Sequence, residues 1–349
     1  MNMKTIYEFT YPQLVEWCES NNQKKFRAKQ LFSWLYQKRV SSFEQMSDLS
    51  KDFRDLLEAS FSMNSISLKE KHVAEDLTTK YLFELEDGLL VETVLMHHDY
   101  GKSVCVSSQI GCNMGCKFCA SGLLKKQRNV SAGEMVQQVL FVQRELDAHS
   151  ERVSSIVVMG IGEPFDNYDH VLNFLKTINS DLGLAIGSRK LTISTCGIIS
   201  GIQRLANEEM QNNLAISLHA PNDKLRSMLM PINQVHPIAD LMVALNQYYK
   251  KTNRRITYEY ILLEGINDGL NHANQLADLI TGQNAYVNLI PYNPVKEQPF
   301  DRTPLKDALA FYSQLKKRGI QTTLRVEHGT DINAACGQLR SSKIKGENK

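Results

Sequence analysis

Three cysteines stand close together in the segment GCNMGCKFCAS, which covers residues 111–121. Cys112, Cys116 and Cys119 are spaced C-x3-C-x2-C. Clustered thiolates bind zinc or iron–sulfur clusters. A structural zinc site normally closes with four ligands, and no second C-x2-C or H-x3-H pair occurs in the chain. The trio therefore favours an iron–sulfur cluster with three protein ligands and one open iron, with zinc as the alternative.

Four further cysteines bring the total to seven: Cys18, Cys105, Cys196 and Cys336. An odd number in a chain that we expect to be cytosolic argues against a structural disulfide framework. The sequence gives Cys18 and Cys196 no clear role, and we interpret both as structural.

The cysteine segment lies where the predicted secondary-structure pattern of the chain changes. From Val104 onward, short β-rich runs alternate with helical stretches. The runs are SVCVSSQ (103–109), SSIVVMGIG (154–162), KLTISTCG (190–197), NLAISLHA (213–220), RITYEYILL (255–263), AYVNLIPYN (285–293) and TTLRVE (322–327). Strand–helix–strand units repeated about six times predict an α/β fold, a partial (β/α)6 barrel with a parallel sheet. Chemistry in such barrels sits at the C-terminal strand ends, and the cysteines follow the first run.

The N-terminal third has a different pattern. Residues 1–65 are predicted to form a small helical domain, since KKFRAKQLFSWLYQKRV (24–40) has apolar residues at near-helical spacing. Residues 66–100 are predicted to form a β-hairpin extension, because TKYLFELEDGLLVETVLM alternates around Asp87-Gly88. The barrel is expected over residues 101–335, and a C-terminal segment over residues 336–349.

Composition indicates a soluble globular protein. Of the 349 residues, 42% are hydrophobic and 22% charged, with a net charge of +2, which are ordinary values. No apolar run approaches about 18 residues, so no membrane span is expected. We expect a cytoplasmic protein, because the N-terminus has no signal-peptide core. Basic clusters such as Lys24, Lys25, Arg27 and Lys29 are either solvated surface or, if they converge, an RNA-binding face.

The cysteine spacing, with Phe118 before the last cysteine, resembles the radical S-adenosylmethionine (SAM) superfamily. The resemblance implies a [4Fe-4S] cluster on Cys112, Cys116 and Cys119, with SAM on the fourth iron. It also implies SAM contacts from residues in MGIGEP, TISTCG, SLHA and PYNP, namely Gly162, Glu163, Ser194, Ser217, Leu218, His219 and Asn293. Taken singly, each of these polar residues could instead cap a strand or helix, and the cluster could bind no SAM.

Within that superfamily, DINAACGQLR (331–340) and motifs along nearly the whole chain resemble the bacterial adenine-C2 RNA methyltransferases. The resemblance implies that one SAM methylates Cys336 and that a second generates a radical, which leads to a transient protein–RNA adduct. Glu92 matches the proton acceptor, and Cys105 matches the thiol that releases the product by a transient disulfide with Cys336. Considered alone, Glu92 would be a solvated strand residue, and Cys105 a core residue or a fourth cluster ligand.

The family's substrates are adenine 2503 of 23S rRNA and adenine 37 of tRNAs, and its electron donor is of the flavodoxin type. We expect a monomer whose Lys24, Lys25, Arg27 and Arg39 dock RNA, although the helical segment could simply cover the barrel. A related branch methylates C8 of the same rRNA adenine and confers antibiotic resistance. Pro164 in GEP favours the C2 branch. An RNA-binding module with a purely structural cluster is the non-enzymatic alternative.

Overall fold

The computed structural model describes residues 3–325 and 328–339. The strands are β1 (Ile66–Val73), β2 (Thr79–Leu85), β3 (Leu90–His98), β4 (Gly101–Cys105), β5 (Gln109–Ile110), β6 (Arg128–Asn129), β7 (Val153–Val158), β8 (Leu191–Thr195), β9 (Asn213–Ser217), β10 (Ile256–Leu262), β11 (Ala285–Pro291) and β12 (Gln321–Leu324). The α-helices are α1 (Tyr11–Ser20), α2 (Phe26–Phe32), α3 (Lys51–Ser60), α4 (Ala132–Asp147), α5 (Tyr168–Asn179), α6 (Ile199–Leu205), α7 (Asp223–Leu229), α8 (Ile238–Thr252), α9 (Leu270–Ile280) and α10 (Leu305–Lys317).

Ten of the strands form one sheet in the order β1-β2-β3-β4-β7-β8-β9-β10-β11-β12. The seven strands from β4 to β12 pair in parallel. Six crossovers carrying α4 to α10 connect them. The predicted α/β fold with a central parallel sheet is therefore confirmed. The run TTLRVE is a strand as far as Leu324, while positions 326 and 327 lie outside the described residues.

The other three strands extend this sheet in the antiparallel sense. β2 and β3 form the expected hairpin around Asp87-Gly88, where Gly88 has a φ of +78°. β3 then pairs with β4, so that Val94 lies opposite Cys105. β1 adds an edge strand that the sequence pattern did not indicate. Its sequence, ISLKEKHV, is charged and largely exposed. Charged side chains on an edge strand discourage pairing with a strand of another molecule.

The N-terminal helices pack onto α4. The α4 helix starts with a capping box in which Ser131 and Glu134 exchange hydrogen bonds. Arg39 forms two hydrogen bonds with the Asp147 carboxylate, at 2.6 and 2.9 Å. Arg144 donates to the carbonyl of Arg39 at 3.2 Å. The helical segment is thus fixed to the barrel by polar contacts as well as by its aromatic core.

Two short helices, α6 and α7, were not predicted from the sequence. Each has seven residues, too few for an apolar period to show. The α7 helix begins at an Asn222 cap whose side chain accepts from the N–H of Leu225. No helix in the described part of the chain has both the length and the apolar character to cross a membrane.

Candidate functional site

The three predicted ligands lie on one loop, between β5 and β6, which we call the cluster loop (residues 111–124). Cys112, Cys116 and Cys119 all line a single cavity. Gly111 has a φ of +73°, and a Cβ there would lie 2.3 Å from the carbonyl oxygen of Lys125, so the tight turn requires glycine. The N–H of Cys112 donates to the carbonyl of Leu124 at 2.8 Å, which closes the loop.

The environment of the thiols keeps them protonated in the free protein. Burial raises the pKa of Cys112 to about 11 and the pKa of Cys116 well above its ordinary value. A metal centre must therefore displace these protons when it binds.

No group of three or more His, Cys, Asp or Glu side chains in residues 3–325 and 328–339 is arranged to hold a single metal ion. In an iron–sulfur cluster each thiolate binds a different iron, so the thiols need not converge on one point. Three thiols from one glycine-containing loop that line one cavity fit a cluster with three protein ligands.

The carboxylate of Glu163 lies in the same cavity, at the end of the turn that follows β7. Gly162 has a φ of +109°, and a Cβ there would lie 2.5 Å from Cβ of Gln109. The two Glu163 oxygens accept from the N–H of Phe165 at 3.0 Å and from the N–H of Cys196 at 2.7 Å. Burial raises the pKa of Glu163, while these backbone donors act in the opposite direction. The glutamate is therefore held in one orientation beside the cluster loop.

Ser194 and Ser217 line this cavity from the ends of β8 and β9, with their hydroxyl oxygens 3.5 Å apart. His219 lines it too, and its Nδ1 accepts from the N–H of Ile261 at 3.1 Å. Burial lowers the pKa of His219 to about 3, so the ring is neutral. Leu218 differs, because its side chain belongs to the main hydrophobic core rather than to the cavity lining.

A second cavity adjoins the first and shares residues of the cluster loop with it. Cys105, Cys119 and Cys336 line it together, and so does Asn293, which does not line the first cavity. Burial, and secondarily the nearby Cys336, raise the pKa of Cys105 to about 12. The structure therefore brings the two predicted sulfur residues to one cavity next to the cluster loop.

The segment carrying Cys336 is tied directly to the cluster loop. The N–H of Ala120 donates to the carbonyl of Gly337 at 2.7 Å. The hydroxyl of Ser121 donates to the carbonyl of Leu339 at 2.8 Å, in a buried position. Residues 340–349 lie outside the described part of the chain, including the last residue of the AACGQLR motif.

Glu92 lies beside these cavities rather than in their linings. It is buried on β3, and alternation along a strand puts it on the same face as Val94 and Met96, which line the second cavity. Its carboxylate is 3.7 Å from Nζ of Lys80. The same Nζ donates to the carbonyl of Ile332 at 2.6 Å. Glu92 is thus connected to the C-terminal segment through one lysine.

Arg325 and Glu259 belong to the site, although sequence reasoning did not single them out. Nη1 of Arg325 lies 3.6 Å from the sulfur of Cys336 and 3.8 Å from the carboxylate of Glu259. Asn288 donates to that carboxylate at 2.9 Å. The one sequence signal was the inward position of Glu259 in the alternating strand RITYEYILL, since a buried charge on an inner face needs a partner.

Comparison with known proteins agrees with this arrangement. The family model "Radical SAM superfamily" matches residues 106–277, and the model "Ribosomal RNA large subunit methyltransferase N-terminal domain" matches residues 4–63. A protein of Listeria welshimeri, named probable dual-specificity RNA methyltransferase RlmN, is 55% identical over 99% of this chain and 95% of its own length. An Enterococcus faecalis protein of the same name is 54% identical over 99% of both chains.

A crystal structure of a radical SAM methyltransferase from Sphaerobacter thermophilus superimposes with a TM-score of 0.93 at 40% identity. The match covers 97% of this chain and 99% of the other. Identity of this extent, over nearly the full length of each protein, assigns the family. The chain belongs to the RlmN family of radical SAM RNA methyltransferases.

Proposed function

We propose that this methyltransferase acts on C2 of adenine, at adenine 2503 of 23S rRNA and adenine 37 of tRNAs, by way of Cys336. The observation that carries the proposal is that Cys105 and Cys336 line one cavity with Cys119 of the cluster loop. This observation supports the proposal, because a methyl carrier at Cys336 and a releasing thiol at Cys105 would share a cavity beside the proposed cofactor site.

The radical SAM superfamily uses a [4Fe-4S] cluster and SAM. We propose that Cys112, Cys116 and Cys119 bind three irons and that SAM occupies the fourth. Gly162, Glu163, Ser194, Ser217, Leu218, His219 and Asn293 are the proposed SAM contacts. When bound, the cluster and two SAM molecules per methylation supply the methyl group and the one-electron chemistry that activates it.

Glu163 is suited to the ammonium group of SAM. A buried carboxylate with oxygens fixed by two backbone N–H groups is an oriented anion in a low-dielectric site. The neutral ring of His219 adds no positive charge that would repel a sulfonium. Leu218 contributes no side chain to the cavity, so we propose that any contact it makes uses its backbone.

Cys336 is the proposed nucleophile that accepts a methyl group and carries its carbon to the RNA. Nη1 of Arg325 donates to its sulfur at 3.6 Å, which helps to fix the position of the reacting atom. The two hydrogen bonds between the C-terminal segment and the cluster loop support this role, because they hold the Cys336 segment against the loop that would carry the cluster. Positioning of the reacting group by the scaffold lowers the entropic barrier.

Release of the product is assigned to Cys105 and Glu92. Glu92 would accept the proton that leaves C2 of the adenine, and the single electron that the radical adduct must also lose would return to the cluster. The sulfur of Cys105 attacks the sulfur of Cys336 as the Cys105 thiol gives up its proton, the bond from the Cys336 sulfur to the former methyl carbon breaks, and a disulfide forms. The released carbon takes up a proton and becomes the methyl group. The protein disulfide must then be reduced by two electrons before another turnover.

RNA docking is proposed for the N-terminal helical domain, residues 1–65. Lys24, Lys25 and Lys29 are exposed on it. Arg39 is a weaker candidate for RNA docking than the sequence suggested, because the Asp147 carboxylate neutralises its charge. We also propose the β-hairpin extension over residues 66–100, the barrel over residues 101–335 and the cysteine segment over residues 336–349 as separate functional units.

The decisive experiment is an anaerobic incubation of the reconstituted chain with SAM, a flavodoxin-type reductant, and either an rRNA fragment or a tRNA. Mass analysis of the digested RNA should show 2-methyladenosine. Recovery of 8-methyladenosine would overturn the C2 assignment, and absence of SAM cleavage would overturn the enzymatic one. Cys336→Ala should abolish methylation, whereas Cys105→Ala should leave the protein covalently attached to RNA.

A further inference from the structure

A buried arginine lies behind the wall of the cavity that the cluster loop lines. Arg226, on α7, has no exposed surface. Nη2 donates to the carbonyl of Cys196 at 2.6 Å. Nη1 donates to the side-chain oxygen of Asn233 at 2.8 Å and to the carbonyl of His236 at 3.2 Å. All three acceptors are uncharged, and Nε has no hydrogen-bond partner.

This cation forms no ion pair with any carboxylate among residues 3–325 and 328–339; the arginine ion pairs there involve other arginines. Asp223 is nearby, but its carboxylate accepts from Asn233 at 2.8 Å and from the N–H of Ile238 at 2.9 Å. A buried charge without a direct partner is unfavourable. Among the described residues, the protein without cofactor therefore contains a buried positive charge that no carboxylate pairs directly.

The backbone of Cys196 bridges Arg226 and the proposed SAM and cluster site. Its carbonyl accepts from Arg226, while its N–H donates to Glu163 at 2.7 Å. The Cys196 side chain lines the same cavity as the three thiols of the cluster loop. In addition, the N–H of Lys117 donates to the carbonyl of Leu229 at 2.9 Å, so the end of α7 holds the cluster loop.

We propose that Arg226 is a fixed counter-charge for the iron–sulfur cluster and that it favours the reduced state of that cluster. The inference rests on the cluster assigned to Cys112, Cys116 and Cys119 under the proposed function. A cluster held by three thiolates is anionic and becomes more so when it is reduced, and local charge sets its reduction potential. A buried cation that other groups leave unpaired stabilises the reduced state most.

A merely structural role and a counter-charge role make different predictions for the protein with and without cluster. Arg226→Gln loses the charge and Arg226→Lys keeps it. Asn233→Ala removes one hydrogen bond of Arg226, together with the bonds that the Asn233 amide donates to Asp223 and Ser227, without changing the charge. Each variant would be compared with the wild type by thermal unfolding, in the apo and cluster-loaded forms. Each loaded form would also be titrated electrochemically, with the reduced cluster followed by electron paramagnetic resonance.

We expect cluster loading to raise the unfolding temperature of the wild type and of Arg226→Lys more than that of Arg226→Gln. In Arg226→Gln the equilibrium constant for reduction of the cluster should fall at least tenfold. This corresponds to a reduction potential lower by about 59 mV for one electron. Asn233→Ala should lower the unfolding temperature of the apo and cluster-loaded forms by similar amounts. Its cluster should keep a reduction potential within about 59 mV of the wild-type value.

Equal destabilisation of Arg226→Gln in the apo and loaded forms, with an unchanged potential, would overturn the inference. If Arg226→Gln does not fold, the Arg226→Lys variant tests the inference. It keeps the charge, so a tenfold change in the reduction equilibrium of its cluster would show that charge is not the relevant property. A wild-type chain that assembles no cluster would instead overturn the proposed function, and this inference with it.

Discussion

The N–H of Ala120 donates to the carbonyl of Gly337 at 2.7 Å, although the two residues are separated by most of the barrel sequence. This bond joins the loop with the three clustered thiols to the segment with Cys336. Ser121 reinforces it by donating to Leu339. We therefore expect a change in the cluster loop to alter the position of the Cys336 sulfur, the proposed methyl carrier.

The Ser121→Ala variant tests that coupling. It removes a buried hydrogen bond worth about 1 kcal/mol and leaves the carbonyl of Leu339 without this donor. We expect normal iron content but less S-methylated Cys336 and faster alkylation of its thiol, measured by peptide mass spectrometry. Ser154→Ala, which loses a 2.8 Å hydroxyl bond to the carbonyl of Lys102, is the matched control. Equal alkylation of Cys336 in the two variants would contradict the coupling.

Cys105 should respond to pH in a characteristic way. Burial raises its pKa from 9.0 to about 12 in the folded protein, so the fold holds this proton more tightly than the unfolded chain does. The associated stability is fully present below pH 9 and is lost as pH rises toward about 12. Alkylation of Cys105 in the apo protein should accelerate about tenfold per pH unit between pH 7 and 10. A rate that levels off below pH 9 would show that the thiol is not protected in this way.

Gly162 is required by the backbone at the turn before Glu163. An added methyl group would lie 2.5 Å from Cβ of Gln109, and the φ of +109° is unfavourable for any other residue. Gly162→Ala should therefore cost about 1–3 kcal/mol of unfolding free energy and weaken SAM binding. Gly187→Ala is the control, since its Cβ would meet no atom within 4 Å. Similar melting temperatures and SAM affinities for both variants would refute the steric requirement.

Much of this site could be predicted because its residues stand at the C-terminal ends of predicted strands. Parallel strands bring their carboxyl ends to one edge, so Glu163, Ser194 and Ser217 meet the cluster loop as expected. Arg226 follows no such rule, because in the sequence it is an ordinary charge in the short segment DKLRSML. The pairing of Ala120 with Gly337 depends on the complete fold. The family resemblance indicated that Cys336 matters, but not what holds it.

The last prediction concerns RNA docking. Lys24 and Lys25 are exposed at the start of α2, beside an exposed Phe26. If they contact phosphates, Lys24→Ala with Lys25→Ala should weaken RNA binding and reduce the slope of log affinity against log salt by about 1.4 to 1.8, depending on whether the RNA is single- or double-stranded. Reductive SAM cleavage without RNA should be unchanged, because the barrel site is intact.

The matched control for that variant changes Lys316 and Lys317 at the end of α10, which gives the same loss of charge elsewhere. Binding of a 23S rRNA fragment and of a tRNA would be measured for both double variants at several salt concentrations. If the α10 variant loses as much affinity as the α2 variant, the effect reflects net charge alone, and the helical domain is not the docking face. A loss confined to the α2 variant would locate the phosphate contacts on the N-terminal helices.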